Sequence, residues 1–268
     1  MPTAHVNDVT LKYRIDGDGD DTVVLINGLA DDLETWAYQT PALVEAGYRV
    51  LTFDNRGIGG SDMPPGPYTS RQLADDAAAL VERLGIGDFH LMGVSMGGMV
   101  AQELVLAHPQ KVRSLTLSNT YAAPGPFCSR MFALWADIAV SMGVPAVMRD
   151  VLLWAFTVPF FEDPERADEL AEFEAEMAGH PQPVEAYLAQ LSVIQTHDTT
   201  DRLGRINTPT LVVTGEQDIL IPVLLSRRLH AAIPGAEWAT VDGAHAAIWE
   251  SPDVFNTTFL AFLERHRS

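Results

Sequence analysis

Short apolar runs alternate with longer segments of helical spacing in the first part of the chain. Residues 23–26 and 49–53 have the apolar character of buried strands, and the segment between them, 35–46, has the periodicity of a helix. A second helix is predicted over 70–84, and it leads to another apolar run at 89–92. Because parallel strands need crossover connections of this length, the alternation predicts an α/β fold with a mainly parallel sheet flanked by helices.

The pattern changes between residues 121 and 201, where strand signals disappear. Helical segments rich in aromatic or acidic side chains take their place, at 131–135, 152–156 and 165–176. Strand spacing resumes at residue 210. We therefore expect an α/β core formed by residues 1–121 and 202–268, interrupted by an inserted helical cap of residues 122–201.

The chain has a strongly acidic balance, with 36 Asp and Glu residues against 17 Lys and Arg and a formal net charge of -19 over 268 residues. A surface of that sign repels phosphate backbones and anionic lipid, which disfavours nucleic-acid and membrane partners. The single cysteine, Cys128, excludes an internal disulfide framework. No apolar run reaches the length of a membrane span, and the amino terminus lacks the pattern of a secretory signal, so a cytoplasmic protein is expected.

One pentapeptide, Gly93-Val94-Ser95-Met96-Gly97, carries the clearest chemical signal. It follows a predicted strand and opens a helical pattern, so the backbone must turn sharply there, and glycines on both sides of Ser95 permit the turn. In this context the G-x-S-x-G pattern is typical of a nucleophile elbow, in which a serine hydroxyl stands above the carboxyl end of a sheet. An ordinary polar turn is the alternative, and the presence of partner residues decides between the two.

Two later strands are each followed by a residue that can serve such a serine. Asp218 comes after the apolar run at 210–214, and His245 comes after the run at 238–241. The order Ser95, Asp218, His245 is that of a known class of catalytic triads, in which the histidine accepts the serine proton and the carboxylate orients the imidazole. Other acids near the predicted site remain as alternatives: Asp242, Asp198 and Asp201.

A hydrolytic serine also needs N–H donors for the oxyanion that forms in the transition state. The elbow supplies the backbone N–H of Met96. The second donor is expected from the loop after the strand at 23–26, which reads Asn27-Gly28-Leu29-Ala30, and we assign it to Leu29. The sequence shows no metal-ligand spacing around His245, so neither a metal nor another cofactor is expected.

These motifs make the whole chain resemble the α/β-hydrolase superfamily and, within it, the 3-oxoadipate enol-lactonases. Segments 54–62 and 93–98 are typical of the superfamily. The pieces similar to the enol-lactonases are 27–29 with Asp32, Leu33 and Trp36, then 66–69, 95–99, 118–120, and Ala244-His245 with Glu250. The resemblance implies hydrolysis of a cyclic enol ester that carries a free carboxylate, without a cofactor.

The resemblance also suggests substrate contacts in the cap. Arg130 lies where the family carries a cap arginine that would bind the carboxylate, and Arg149 is the alternative. Trp135, Trp154 and Phe156 are further candidates, because an aromatic cap equally suits a neutral, apolar acyl or lactone group. The chain departs from the family pattern at two places. The family tends to have a Gly where Ala30 stands and a Trp near the position of Phe127.

The leading interpretation is a serine esterase or lactonase that forms an acyl-enzyme on Ser95. Hydrolysis of a carbon–carbon bond in a ring-cleavage product and cofactor-free perhydrolysis of the haloperoxidase type are alternative uses of the same three residues. A non-enzymatic small-molecule receptor is disfavoured because all three residues and the oxyanion loop are present. The expected partner is a small-molecule ester or lactone, and the sequence leaves open whether the chain forms a homo-oligomer.

Overall fold

The computed structural model describes residues 1–179 and 182–267, and within them an eight-stranded sheet forms the centre. Its strands are β1 (Thr3–Val6), β2 (Val9–Asp16), β3 (Thr22–Ile26), β4 (Arg49–Phe53), β5 (Phe89–Val94), β6 (Val112–Ser118), β7 (Thr210–Gly215) and β8 (Glu237–Val241). The strand order is β1-β2-β4-β3-β5-β6-β7-β8. Only β1 with β2 and β2 with β4 pair antiparallel among these strands, which confirms the predicted α/β fold with a mainly parallel sheet.

Helices cover both faces of the sheet. The core helices are α1 (Gln39–Glu45), α2 (Ser70–Arg83), α3 (Met96–Ala107), α9 (Val223–Ala232), α10 (Ala247–Glu250) and α11 (Pro252–Glu264). The apolar sides of α2, α3 and α9 belong to one buried cluster, whereas α1, α10 and α11 pack into a second cluster that contains Val23 and Leu25 of β3. Two separate apolar layers are what a parallel sheet buried on both faces requires.

Five helices lie between β6 and β7 in the described part of the chain. They are α4 (Gly125–Met142), α5 (Val144–Ala155), α6 (Val158–Glu162), α7 (Ala167–Ala178) and α8 (Val184–Thr196). All five fall inside the interval 122–201 that the sequence predicts as a cap. No helix among the described residues combines the length and apolarity needed to cross a membrane.

The predicted helix over 35–46 is replaced by two shorter elements. A 3-10 turn, Leu33–Trp36, precedes α1, which begins only at Gln39. Tertiary contacts explain the break: the Leu33 N–H donates to Asp54 Oδ1 at 2.8 Å, and Trp36 Nε1 donates to Asn27 Oδ1 at 2.7 Å. These bonds fix the chain directly after β3, beside the carboxyl edge of the sheet.

Candidate active site

Ser95 stands at a strained turn between β5 and α3. Its backbone has φ 53° and ψ -118°, and residues other than glycine rarely adopt a positive φ. The turn is held by hydrogen bonds from the Ser95 N–H to Ser118 O at 2.9 Å and from Thr120 Oγ1 to Ser95 O at 2.8 Å. A methyl group on Gly97 would overlap the backbone carbonyl of Ile26, so glycine is needed there for close approach. This geometry is that of a nucleophile elbow.

Asp218 and His245 are joined by a hydrogen bond at the same edge of the sheet. His245 Nδ1 lies 2.8 Å from Asp218 Oδ2, and the Asp218 side chain is almost completely buried. The alternative acids Asp242, Asp198 and Asp201 are exposed and have no hydrogen bond to His245. Asp218 is therefore the carboxylate that fixes the imidazole.

Asn119 holds this carboxylate and was not assigned a role from sequence. Its Nδ2 donates to Asp218 Oδ2 at 2.8 Å, while the Ile221 N–H donates to Asp218 Oδ1 at 2.8 Å. Asn119 follows β6 with φ 47°, a left-handed conformation that Asn tolerates better than most residues. Both carboxylate oxygens are thus satisfied in one fixed orientation.

A second carboxylate, that of Glu250, anchors the loop that carries His245. Glu250 Oε2 accepts a hydrogen bond from the Ala244 N–H at 3.0 Å. Its Oε1 accepts from the Thr157 hydroxyl, which caps the start of α6. The sequence singled out Glu250 only through resemblance, and its contacts connect the His245 loop to the cap.

The two predicted oxyanion donors are available. Within residues 1–179 and 182–267 no hydrogen bond uses the N–H of Leu29 or Met96. The loop that carries Leu29 is fixed on both sides, since Asn27 Nδ2 donates to Phe53 O at 2.9 Å and the Ala30 N–H donates to Gln190 Oε1 of α8 at 3.2 Å. Ala30 itself has φ 62°, which explains why a glycine is favoured at this position in the enzymes that the chain resembles.

Ser95 and His245 line one cavity between core and cap, with about 740 Å³ of space free of atoms, its open mouth included. No hydrogen bond joins Ser95 Oγ to the His245 ring among the described residues. Apart from Ser95, Asp31, Tyr187 and His245, the walls are almost entirely apolar. Six of the apolar lining residues are Met99, Phe132, Trp135, Met148, Ile194 and Leu220.

The cap residues predicted to contact substrate are placed differently from one another. Trp135 lines the cavity, and its Nε1 donates to Asp150 Oδ2 at 2.9 Å. Trp154 donates to the same carboxylate at 3.2 Å but lies outside the lining. Phe156 lines a second groove next to the cavity, and we call this the outer groove; it shares Asp31 and Trp249 with the cavity.

The prediction for Arg130 is corrected by the structure. Arg130 is exposed on α4, where its Nη1 donates to Pro126 O at 3.0 Å, and it does not reach the cavity. The alternative, Arg149, is also exposed. The reason is helical geometry: the buried side of α4 presents Cys128, Phe132 and Trp135, and position 130 points to the opposite side.

Asp31 lines the cavity, although no pattern in the sequence selected it. A methyl group placed on Gly28 would lie 2.5 Å from Asp31 Oδ2 and 3.6 Å from Ser95 Cβ. Asp31 Oδ2 and Ser95 Cβ are therefore within about 6 Å of each other. Burial and the neighbouring Asp32 raise the pKa of the Asp31 carboxyl to about 7, although His245 acts in the opposite direction. No group of three or more His, Cys, Asp or Glu side chains suited to a metal ion occurs among the described residues.

A family model described as the alpha/beta hydrolase fold matches residues 21–252, and the chain therefore belongs to the α/β-hydrolase family and is a hydrolytic enzyme. A relative from Azorhizobium caulinodans, provisionally named carbamate hydrolase RutD, is 35% identical over 263 residues, with 98% of each chain covered.

Two solved structures are similar over nearly the whole chain. The enol-lactonase from Burkholderia xenovorans LB400 has a TM-score of 0.90 at 32% identity, with 98% of this chain and 100% of that chain covered. A protein from Mycobacterium tuberculosis H37Rv, provisionally named non-heme bromoperoxidase BpoC, has a TM-score of 0.85 at 31% identity, with 96% and 97% covered.

Proposed function

We propose that this protein is a serine hydrolase that cleaves a carboxylic ester or lactone through an acyl-enzyme on Ser95. The observation that carries the proposal is the shared cavity of Ser95 and His245, with His245 Nδ1 bonded to the buried Asp218. The similarity to an enol-lactonase supports the same class of chemistry.

The mechanism follows from the position of each group. Ser95 Oγ attacks the substrate carbonyl carbon and gives its proton to His245 Nε2, while Asp218 stabilises the imidazolium that results. The N–H groups of Leu29 and Met96 bind the oxyanion of the tetrahedral intermediate. When the intermediate collapses, the ester carbon–oxygen bond breaks and His245 returns the proton to the leaving oxygen. Water then attacks the acyl carbon and gives a proton to His245. The bond from this carbon to Ser95 Oγ breaks, His245 returns the proton to Oγ, and the acid is released.

The apolar cavity favours an ester or lactone with an apolar acyl group. Desolvation of such a group against side chains like Phe132 and Met148 contributes binding energy, at about 25 cal/mol per Å² of buried apolar surface. A carbamate presents the same carbonyl chemistry to Ser95, and the similarity to the relative provisionally named RutD makes it the second candidate.

A panel of purified substrates tests the proposal. Wild-type protein and the Ser95→Ala variant are compared on aryl esters, saturated lactones, enol-lactones, carbamates and ring-fission dienones. We expect turnover of esters or lactones that is lost in the variant, by a factor on the order of 10⁴ or more. Turnover of dienones or carbamates alone, or equal activity in the variant, would contradict the proposal.

A further inference from the structure

Asp31 is the one acidic residue that lines the cavity of Ser95 and His245 within the described part of the chain. It follows the oxyanion loop directly, and its Oδ2 lies within about 6 Å of Ser95 Cβ. The side chain is partly exposed, and it lines both the cavity of Ser95 and His245 and the outer groove next to it. An acyl group bound at Ser95 therefore passes close to this carboxyl group.

Among the residues that the structure describes, His245 is the one basic side chain in the cavity wall that can compensate this carboxylate. No Lys or Arg lines the cavity within the described part of the chain, and the cap arginine Arg130 is on the exposed side of α4. The surroundings add to the same sign of charge, because five more carboxylates line the outer groove next to it. They are Asp32, Glu34, Glu169, Glu172 and Glu176.

We propose that Asp31 determines specificity by excluding carboxylate-bearing substrates, so that the natural substrate of the Ser95 site is an uncharged ester or lactone. This inference rests on the proposed function of Ser95. It also separates this site from the anionic enol-lactone that the sequence resemblance implies. A substrate carboxylate held against Asp31 in this cavity meets a charge of the same sign, and repulsion between two such charges in a protein environment of intermediate dielectric lowers binding roughly 10- to 100-fold.

The exclusion depends on pH in a defined direction. Burial, Asp32 and Glu176 raise the pKa of Asp31 to about 7, whereas His245 and the Gly28 N–H act against that rise. The carboxyl group is therefore neutral below this pH and negative above it, and discrimination against anions grows as the pH increases from 6 to 8. Several other charged or titratable side chains line the cavity or the outer groove together with Asp31. They are Asp32, Glu34, Tyr38, Glu169, Glu172, Glu176, Tyr187 and His245.

Matched esters measure this discrimination. The anionic substrate is mono-4-nitrophenyl adipate, and its neutral counterpart is 4-nitrophenyl 6-oxoheptanoate, in which a methyl ketone replaces the carboxylate. The ratio of their kcat/KM values cancels the ionisation of His245, since both esters use the same base. Wild-type protein, Asp31→Asn and the control Asp32→Asn are compared from pH 6 to 8. Asp32→Asn removes the neighbouring charge outside the cavity and keeps a side chain able to cap the 3-10 turn.

We expect wild-type protein and Asp32→Asn to prefer the neutral ester, and this preference to increase with pH. In Asp31→Asn at pH 8, the ratio of kcat/KM for the anionic ester to kcat/KM for the neutral ester should be at least tenfold higher than in wild type. Equal kcat/KM values for the two esters in wild type, or an unchanged ratio in Asp31→Asn, would overturn the inference. Calorimetric titration with 2,7-octanedione and 6-oxoheptanoate measures the same charge discrimination without turnover. If the protein hydrolyses neither ester, the ratio of these two affinities still decides the role of Asp31, and the substrate panel described above decides the proposed function separately.

Discussion

Replacing Asp31 by Asn should stabilise the protein, and the gain should depend on pH. The folded protein raises the pKa of this carboxyl from 3.8 to about 7, chiefly through burial. Below pH 3.8 the group is protonated in both the folded and the unfolded chain, so its ionisation does not change the free energy of unfolding. As the pH rises towards 7, the unfolded chain releases the proton and the folded protein retains it, and the free energy of unfolding decreases.

The size of the effect follows from the pKa. Each pKa unit corresponds to about 1.4 kcal/mol, so the full difference amounts to about 4 kcal/mol at pH 8. Because the side chain is partly exposed to the cavity, we expect Asp31→Asn to gain about 2 to 4 kcal/mol at pH 8 and almost nothing near pH 4. Asn has the same shape and keeps the packing of the loop.

Urea denaturation at several pH values measures this difference directly. The free energy of unfolding of wild-type protein is subtracted from that of Asp31→Asn, which removes the contributions of titrating groups that do not interact with Asp31. Asp32→Asn serves as the control for loss of one negative charge at the adjacent position. A stability difference that stays constant between pH 4 and pH 8, or a variant less stable than wild type at pH 8, would refute the reasoning.

Three other substitutions test the supporting contacts. Asn119→Gly keeps the left-handed backbone but removes the donor 2.8 Å from Asp218 Oδ2, so kcat/KM on a neutral ester should fall about 10- to 100-fold in steady-state assays; unchanged kinetics would argue against this role. Glu250→Gln turns an amide NH₂ towards either the Thr157 hydroxyl or the Ala244 N–H, and urea denaturation should show a loss of about 1 to 3 kcal/mol. Arg130→Ala removes an exposed side chain, and KM should change less than about twofold for neutral and anionic esters alike; a selective rise for anionic esters would restore its proposed contact.

Local patterns in the sequence predicted most strands of the sheet and the sharp turn at Ser95. The strand β4 begins and ends at the predicted residues, and β5 leads into Ser95 as expected, because buried parallel strands are continuous apolar runs that need no distant information. Ser95, Asp218 and His245 could be selected because each follows a strand, and the carboxyl ends of parallel strands meet at one edge.

Contacts between distant parts of the chain could not be read from these patterns. The four-residue strand β1 was missed, since it is defined by pairing with β2. Asp31 looked like an ordinary loop residue, and its environment depends on a cavity that the cap closes from above. Gln190 of α8 supports the oxyanion loop across 160 positions of sequence, and no spacing rule connects it with Ala30. The position of Arg130 depended on which side of α4 faces the core.

The most direct test of the account is covalent labelling of the predicted nucleophile. Wild-type protein, Ser95→Ala and Asp218→Asn are incubated with a fluorophosphonate, and the adduct is quantified by intact mass and located by peptide mapping. We expect one adduct per wild-type chain, on Ser95, with slower labelling of Asp218→Asn because the imidazole loses its orienting carboxylate. No adduct on wild-type protein, or equal labelling of Ser95→Ala, would contradict the assignment of Ser95 as the nucleophile.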